Sequence, residues 1–135
     1  MLAILAVPAG DYLAGARQNV IGSTGCKVAS ITDGDTVRLL CRGPRVVPAR
    51  IRGYDTPEVF SPKCTSEALR GTAATFRLRA ILWSADTLTM DAYGEDRYGR
   101  LLIDMRADGR KVSSLMIETG LARPYDGGQR QGWCN

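Results

Sequence analysis

An Asp33-Gly34 dipeptide between two runs rich in β-branched and apolar residues constrains this chain more than any other feature. Asp-Gly in such a setting predicts a β-hairpin. If Asp33 and Gly34 are the two turn residues, positions equally far from the turn face each other, which places Cys26 opposite Cys41. Cysteines that face each other across a hairpin are within reach of a disulfide. A β-bulge would shift this register.

The remaining cysteines, Cys64 and Cys134, then pair by elimination, although four cysteines allow three connectivities. None of the four forms a C-x-x-C pair, which argues against a zinc ribbon. An even number of widely spaced cysteines favours two disulfides and therefore an oxidising compartment. We expect a secreted or periplasmic protein.

The first 25 residues begin with an apolar run and carry little pattern after it. The run is too short to span a bilayer and is typical of the end of a signal peptide or of an anchor helix. A loosely packed arm is the alternative. We expect residues 1–25 to lie outside the core and residues 26–135 to form one domain, attached to a membrane only if the N-terminus is an anchor.

The alternation of apolar residues predicts three strands, a helix, two strands and a second helix. This order is typical of an α+β fold that is mainly β: a five-stranded Greek-key barrel of the OB type, with the helices packed on it. The predicted third strand runs from Val46 to Tyr54. The first helix runs from Ser66 to about Trp83, and we expect its buried face to carry Leu69, Ala73, Phe76, Ala80 and Trp83.

The charge of the chain weakly favours an anionic partner, since the formal net charge is +4 and the isoelectric point is about 9.1. Fifteen of the eighteen basic residues are arginine, whose planar fork grips phosphate oxygens. A GC-rich genome explains such a bias equally well. The chain has no histidine, which excludes a Ser-His-Asp triad and zinc sites that need imidazole. A general base must be a carboxylate, a lysine, a tyrosine or a metal-bound hydroxide.

Two aspartates at predicted strand ends, Asp35 and Asp55, are candidate metal ligands. Two carboxylates with a backbone carbonyl and waters make an oxygen site that suits Ca²⁺ or Mg²⁺. Glu58 follows the rigid Pro57 and is a candidate base for an attacking water. Taken singly, each carboxylate is more simply explained as a turn, cap or loop residue.

Arg50 and Arg100 are candidate clamps for a phosphate, because guanidinium groups stabilise the charge that builds on its oxygens during in-line attack. Arg50 and Asp55 are five residues apart, so a flat strand would place them on opposite faces. Their convergence requires a bulge or twist at Gly53.

Four motifs in this order resemble the staphylococcal nuclease (thermonuclease) family. They are Asp33-Gly-Asp-Thr-Val37, Arg50, Asp55-Thr-Pro-Glu58 and Asp96-Arg-Tyr-Gly-Arg100, and the resemblance extends from about Cys26 to Tyr125. It implies a Ca²⁺-dependent nuclease that hydrolyses the 5′-O–P bond of DNA and RNA, prefers single strands and leaves 3′-phosphate ends.

The resemblance also implies roles for the carboxylates. Asp35 and Asp55 would bind calcium through their side chains and Thr56 through its backbone carbonyl. Asp33 would lie just outside these ligands. Glu58 would be the general base that activates water, or would instead orient the water or a loop.

The basic and aromatic residues receive roles in the same way. Arg50 would grip the scissile phosphate, and Arg100 would stabilise the transition state and the leaving 5′-oxygen. Arg97 and Tyr98 would contact a neighbouring phosphate and sugar. Tyr125 would meet the 5′ side of the substrate. No protein partner is implied, and we expect a monomer.

The chain differs from the family in its four cysteines, in the loop after Glu58 and in the absence of the usual C-terminal helix. A Cys64–Cys134 disulfide would pin the C-terminal tail across the loop beside Glu58. The alternative function is a non-catalytic OB-fold module that binds single-stranded nucleic acid. The filled catalytic positions and an aromatic content of only 7% favour the enzyme.

Overall fold

The computed structural model describes residues 18–134, which contain nine strands and two helices. The strands are β1 (Asn19–Ile21), β2 (Lys27–Ile31), β3 (Thr36–Cys41), β4 (Arg45–Ile51), β5 (Gly53–Asp55), β6 (Thr87–Glu95), β7 (Leu101–Ala107), β8 (Arg110–Lys111) and β9 (Arg123–Tyr125). The helices are α1 (Thr65–Ser84) and α2 (Val112–Glu118).

Seven strands form one curled sheet in the order β1-β6-β7-β4-β3-β2, with β8 paired to β7. The pairs β1–β6 and β4–β7 are parallel, and the other pairs are antiparallel. β5 and β9 form a separate two-stranded sheet. The predicted mainly β fold of OB type with two helices is confirmed. The predicted count of five strands was too low, because the third strand is split into β4 and β5 and the other additions have only two or three residues.

The β2–β3 hairpin has a longer turn than predicted. Ile31 faces Val37 and the Thr32 amide donates to the Thr36 carbonyl, so the turn inside this last pair has three residues, 33–35. A register shift between Val28 and Ser30 cancels the extra turn residue. The longer turn and the register shift therefore compensate for each other, and Cys26 faces Cys41 as predicted. The two cysteines form a disulfide.

Helix α1 buries a different face from the one predicted. Its buried side includes Ala74, Leu78 and Leu82, whereas Leu69 and Phe76 are 68% and 62% exposed. The predicted stripe was wrong because the apolar residues of the helix also fit a second face at the same spacing, and that face is the buried one. Small residues let the helix approach the chain closely: a Cβ at Gly71 would lie 2.8 Å from the carbonyl oxygen of Pro57.

The core lies between the curled sheet and the two helices. Its largest fully buried side chains include Leu39, Ile51, Tyr54, Leu78, Leu82, Leu88, Met90, Ile103 and Met116. Burial of each such side chain stabilises the fold by roughly 1.5–3 kcal/mol. Within residues 18–134, no helix is both long and apolar enough to cross a membrane.

The predicted N-terminal arm covers residues 1–25, and residues 1–17 lie outside the described range. Its later part adds an edge strand, since β1 pairs with β6 and Val20 packs against the core. The second predicted disulfide, Cys64–Cys134, is also present and joins the start of α1 to the C-terminal tail.

Candidate active site

A bend at Gly53 brings the two halves of the predicted third strand into one site. Gly53 has a φ of 100°, a conformation that residues with a Cβ rarely adopt, and an added Cβ would lie 2.9 Å from the Cβ of Ser113. After the bend, the chain leaves the main sheet and β5 pairs with β9 instead. Arg50 Nη2 consequently lies 3.7 Å from Asp55 Oδ1. The predicted interruption of the strand is present.

Arg50 is fixed by contacts on several sides. Its Nη2 lies 3.4 Å from Asp35 Oδ2 and donates to the carbonyl of Tyr54 at 3.1 Å, while Nη1 donates to the carbonyl of Ile51 at 2.9 Å. The side chain is only 10% exposed. A buried guanidinium with these partners holds Asp35 and Asp55 near one another, although Asp35 lies in the β2–β3 turn and Asp55 at the end of β5.

The turn of the β2–β3 hairpin supplies Asp33 and Asp35. Asp33 Oδ1 accepts a hydrogen bond from the Asp35 amide at 3.1 Å, and Thr36 Oγ1 lies 3.1 Å from Asp35 Oδ1. Burial raises the pKa of Asp33 to about 7, and the negative charge of Asp35 adds to this effect. Burial and the charge of Asp35 therefore both disfavour a second negative charge at this corner of the site.

Gly34 lets this turn lie against the loop after β5. A Cβ at Gly34 would lie 2.8 Å from both Ala74 Cβ and Thr56 Oγ1. The hydroxyl of the buried Tyr54 donates to the Gly34 carbonyl at 2.8 Å. A close backbone approach and a buried hydrogen bond thus fix the distance between the turn that carries Asp35 and the chain around Asp55.

Asp55 is 3% exposed, and each of its carboxylate oxygens has a partner from the C-terminal tail. Trp133 Nε1 donates to Oδ2 at 3.3 Å, and Arg130 Nη2 forms an ion pair with Oδ1 at 2.5 Å. Burial raises the pKa of Asp55, while Arg130 and Trp133 oppose that rise.

Arg130 also contacts the two residues beyond Asp55 that carry predicted roles. Its Nη1 lies 2.8 Å from Glu58 Oε1, and its Nη2 donates to the carbonyl of Thr56 at 3.3 Å. Sequence reasoning missed Arg130 and Trp133. The signal that pointed to them was Cys134, whose predicted disulfide places this tail beside Glu58, as the structure has it.

Arg100 reaches the site from the loop between β6 and β7. Its Nε donates to Asp96 Oδ2 at 2.7 Å, and its Nη1 donates to Thr36 Oγ1 at 3.2 Å. Asp96 Oδ1 also accepts from the amides of Tyr98 and Arg100. Partial burial acts to raise the pKa of Asp96, but these hydrogen bonds and the charge of Arg100 outweigh it and lower the pKa. Because the Thr36 hydroxyl also donates to Asp35, a chain of hydrogen bonds joins Arg100 to Asp35 through Thr36.

A cleft of about 830 Å³ runs past these groups. Its lining includes five arginines and two tyrosines: Arg50, Arg52, Arg97, Arg100, Arg130, Tyr98 and Tyr125. Tyr125 lies 5.3 Å from the Arg50 guanidinium, and Arg97 lies 5.0 Å from the Tyr98 ring. The structure therefore places all the predicted arginines and tyrosines on one cleft, with Asp35 and Asp55 buried next to Arg50.

The two aspartates among the predicted metal ligands are buried next to Arg50, which lines the cleft. Asp35, Asp55 and the Thr56 carbonyl offer the oxygen donors that Ca²⁺ prefers. Asp55 Oδ1 is buried and accepts no well-formed hydrogen bond within residues 18–134. In the same part of the chain, no three acidic, cysteine or histidine side chains form a ready metal site. The donor types fit calcium, but Arg130 lies against two of the donors.

Fold and site together define a small OB-type domain whose cleft joins arginines, tyrosines and buried carboxylates. Residues 48–132 match the family described as staphylococcal nuclease homologue. The chain belongs to this family.

Two relatives carry no assigned activity in their names. An uncharacterized protein of Bacillus anthracis is 32% identical over 95 residues, which cover 70% of this chain and 44% of that protein. An uncharacterized 38.1 kDa protein of Capnoides sempervirens is 31% identical over 119 residues, which cover 85% of this chain and 30% of that protein. The chain thus spans less than half the length of either relative.

Proposed function

We propose that this protein is a calcium-dependent phosphodiesterase that hydrolyses the 5′-O–P bond of DNA and RNA. The observation that carries the proposal is the position of Arg50, which lines the cleft and lies within 3.4 Å of Asp35 and 3.7 Å of Asp55. A phosphate bound by Arg50 in the cleft would be adjacent to oxygen ligands for a divalent cation. Membership of the nuclease homologue family supports the same reading.

The carboxylates of Asp35 and Asp55 and the carbonyl of Thr56 would hold the calcium ion, with Asp33 next to them. Bound calcium supplies positive charge that offsets the charge developing on the phosphate. Arg50 binds the nonbridging oxygens of the scissile phosphate. The contacts of Arg50 to the Ile51 and Tyr54 carbonyls support this role, because they fix its guanidinium before substrate arrives.

Glu58 accepts a proton from a water molecule as the water oxygen attacks phosphorus in line with the 5′-oxygen. The bond from phosphorus to the 5′-oxygen breaks and this oxygen takes a proton from solvent, which leaves a 3′-phosphate on one product and a 5′-hydroxyl on the other. Arg100 stabilises the charge on the departing oxygen. Its bond to Asp96 at 2.7 Å supports this role because it holds the guanidinium at the cleft.

Arg97, Tyr98 and Tyr125 would bind the rest of the substrate. Arginines that alternate with tyrosines along a cleft suit a phosphate backbone with unpaired bases, because aromatic rings stack on exposed bases. We therefore infer a preference for single strands, bound by a monomer.

The two disulfides support a location outside the reducing cytosol, because such bonds persist in oxidising compartments. We infer a secreted or periplasmic enzyme. A cleaved signal or a membrane anchor at the N-terminus would both agree with this location.

The test is incubation with single-stranded DNA in Ca²⁺ and again in EGTA. Cleavage that requires Ca²⁺ and yields 3′-phosphate ends is the expected result. Tight binding without cleavage in Ca²⁺ would overturn the proposal in favour of a nucleic-acid-binding module. End-group analysis of the products separates this activity from contaminating nucleases that leave 5′-phosphates.

A further inference from the structure

Arg130 contacts groups to which the proposed function assigns metal binding and water activation. Its Nη2 is 2.5 Å from Asp55 Oδ1 and 3.3 Å from the Thr56 carbonyl oxygen, and its Nη1 is 2.8 Å from Glu58 Oε1. Asp55 and Thr56 are two of the three proposed calcium ligands, and Glu58 is the proposed base. One guanidinium thus contacts three of the groups on which metal binding and water activation depend.

The segment that carries Arg130, residues 126–134, is fixed at both ends and is called the tail segment below. At its start, β9 pairs with β5, and the hydroxyl of Tyr125 donates to the Gly128 carbonyl at 2.7 Å. At its end, Trp133 is 5% exposed and its carbonyl accepts from Arg70 at 2.6 Å. Cys134 adds a covalent link to Cys64. The position of Arg130 is therefore built into the fold.

The side chain of Arg130 is nevertheless able to leave the carboxylates. It is 41% exposed and lines the cleft, whereas the Arg50 side chain is 10% exposed and bonded to two backbone carbonyls. Rotation of Arg130 about its side-chain bonds would carry the guanidinium into the cleft without disturbing the anchors of the tail segment. Of these two cations beside Asp55, Arg130 is the more exposed one and has fewer backbone partners.

We propose that Arg130 is a tethered cation that competes with calcium for Asp55 and Thr56 and thereby sets the calcium affinity of the site. This inference rests on the calcium site of the proposed function. Without metal, the guanidinium neutralises Asp55 and occupies Glu58. When calcium is bound, repulsion between like charges would move the Arg130 guanidinium away from Asp55 and further into the cleft that it already lines, towards the substrate phosphates.

Competition of this kind has a quantitative consequence. The apparent Kd for calcium equals the intrinsic Kd divided by the fraction of molecules in which Arg130 is withdrawn. If Arg130 is withdrawn in about one molecule in ten or fewer, removal of its charge lowers the Kd about tenfold or more. Removal of a residue that merely supports the ligands would instead weaken calcium binding.

The experiment is calorimetric titration of the full chain with Ca²⁺ in the absence of nucleic acid. Arg130→Gln should bind Ca²⁺ at least about tenfold more tightly than wild type. Arg130→Lys keeps the charge and should stay near the wild-type Kd. Arg110→Gln removes an equal charge from an exposed pair with Glu118 and should also leave the Kd unchanged.

Unchanged or weaker Ca²⁺ binding by Arg130→Gln, or no measurable Ca²⁺ binding by either protein, would overturn the inference. If Arg130→Gln does not fold, the paired substitutions Cys64→Ser and Cys134→Ser test it instead. They remove the covalent anchor at one end of the tail segment, which loosens the hold on Arg130, and should also tighten Ca²⁺ binding; failure to do so overturns the inference. A tighter Kd without nuclease activity would refute only the proposed activity, and nuclease activity without the Kd change would refute only the role of Arg130.

Discussion

Arg50 Nη2 and Asp55 Oδ1 lie 3.7 Å apart, although the five-residue spacing of the two residues would place them on opposite faces of a regular strand. Gly53 makes the difference, because its φ of 100° turns the chain out of the main sheet. The candidate site therefore depends on a backbone conformation as much as on its charged side chains.

Gly53→Ala is expected to destabilise the protein by about 2–3 kcal/mol, since a Cβ is disfavoured at this φ and would also lie too close to Ser113. Gly94→Ala is the matched control, because Gly94 has a φ of 92° with open space around it. It should cost about 1 kcal/mol. Urea denaturation measures both values, and equal losses would show that the contact with Ser113 is unimportant.

Arg100→Ala and Glu58→Ala are each expected to lower kcat on single-stranded DNA by about 100-fold or more, because each removes a group assigned to the transition state. Circular dichroism should show that both variants remain folded. Arg110→Ala, in an exposed ion pair, is the control and should retain wild-type turnover. Losses below about tenfold would contradict the assigned roles.

Asp96→Asn is expected to lower the free energy of unfolding at pH 6. The difference from wild type should become smaller as the pH falls. Hydrogen bonds lower the pKa of Asp96 below its ordinary value of 3.8, so its contribution is complete above about pH 4 and is lost as the pH falls through the folded-state pKa. Melting temperatures between pH 6 and pH 2 measure the effect. A deficit that is constant over this range would be inconsistent with the lowered pKa.

Asp96→Asn should also lower kcat, because Arg100 loses its ionic partner at 2.7 Å. Asp104→Asn is the control for charge, since Asp104 pairs with Arg52 at the surface. An exposed pair contributes at most about 1 kcal/mol. At pH 6, the free energy of unfolding of Asp104→Asn should therefore differ little from that of wild type.

The two disulfides should differ in their contribution to stability. Their cysteines are separated by 15 and 70 positions, and chain-entropy estimates give about 3 kcal/mol for Cys26–Cys41 and about 4 kcal/mol for Cys64–Cys134. Urea denaturation of the two paired Cys→Ser variants measures both values. Thiol titration of the unfolded, unreduced protein should find no free cysteine, and four reactive thiols would contradict the proposed export.

Much of the site was predictable because its parts are local. A few neighbouring residues specify the backbone of the turn that carries Asp35 and of the loop from Asp96 to Arg100. Pro57 does the same for the segment after Thr56. The cysteine pairing across the β2–β3 hairpin also followed from a local signal, although a longer turn and a compensating bulge produced it.

Other features depended on contacts between distant parts of the chain. The spacing of apolar residues in α1 allows more than one buried face, and Phe76 and Leu69 indicated the wrong one. Gly71 and Ala74 are buried instead because the helix packs closely against the chain near Pro57. A sequence pattern gives the period of a helix, but the surface that it packs against selects the face.

The sequence by itself determined the OB-type fold, the Cys26–Cys41 pair and hence Cys64–Cys134 by elimination, and most of the charged residues at the cleft, because turn residues and facing cysteines act through local backbone geometry. The tertiary structure alone decided that Arg130 lies against Asp55, Thr56 and Glu58. Cys134 indicates that the tail segment lies beside Glu58, but no residue near Arg130 in the sequence specifies which groups its side chain contacts. The contact arises because β9, Trp133 and the Cys64–Cys134 bond hold the segment over a loop more than seventy positions away in the chain.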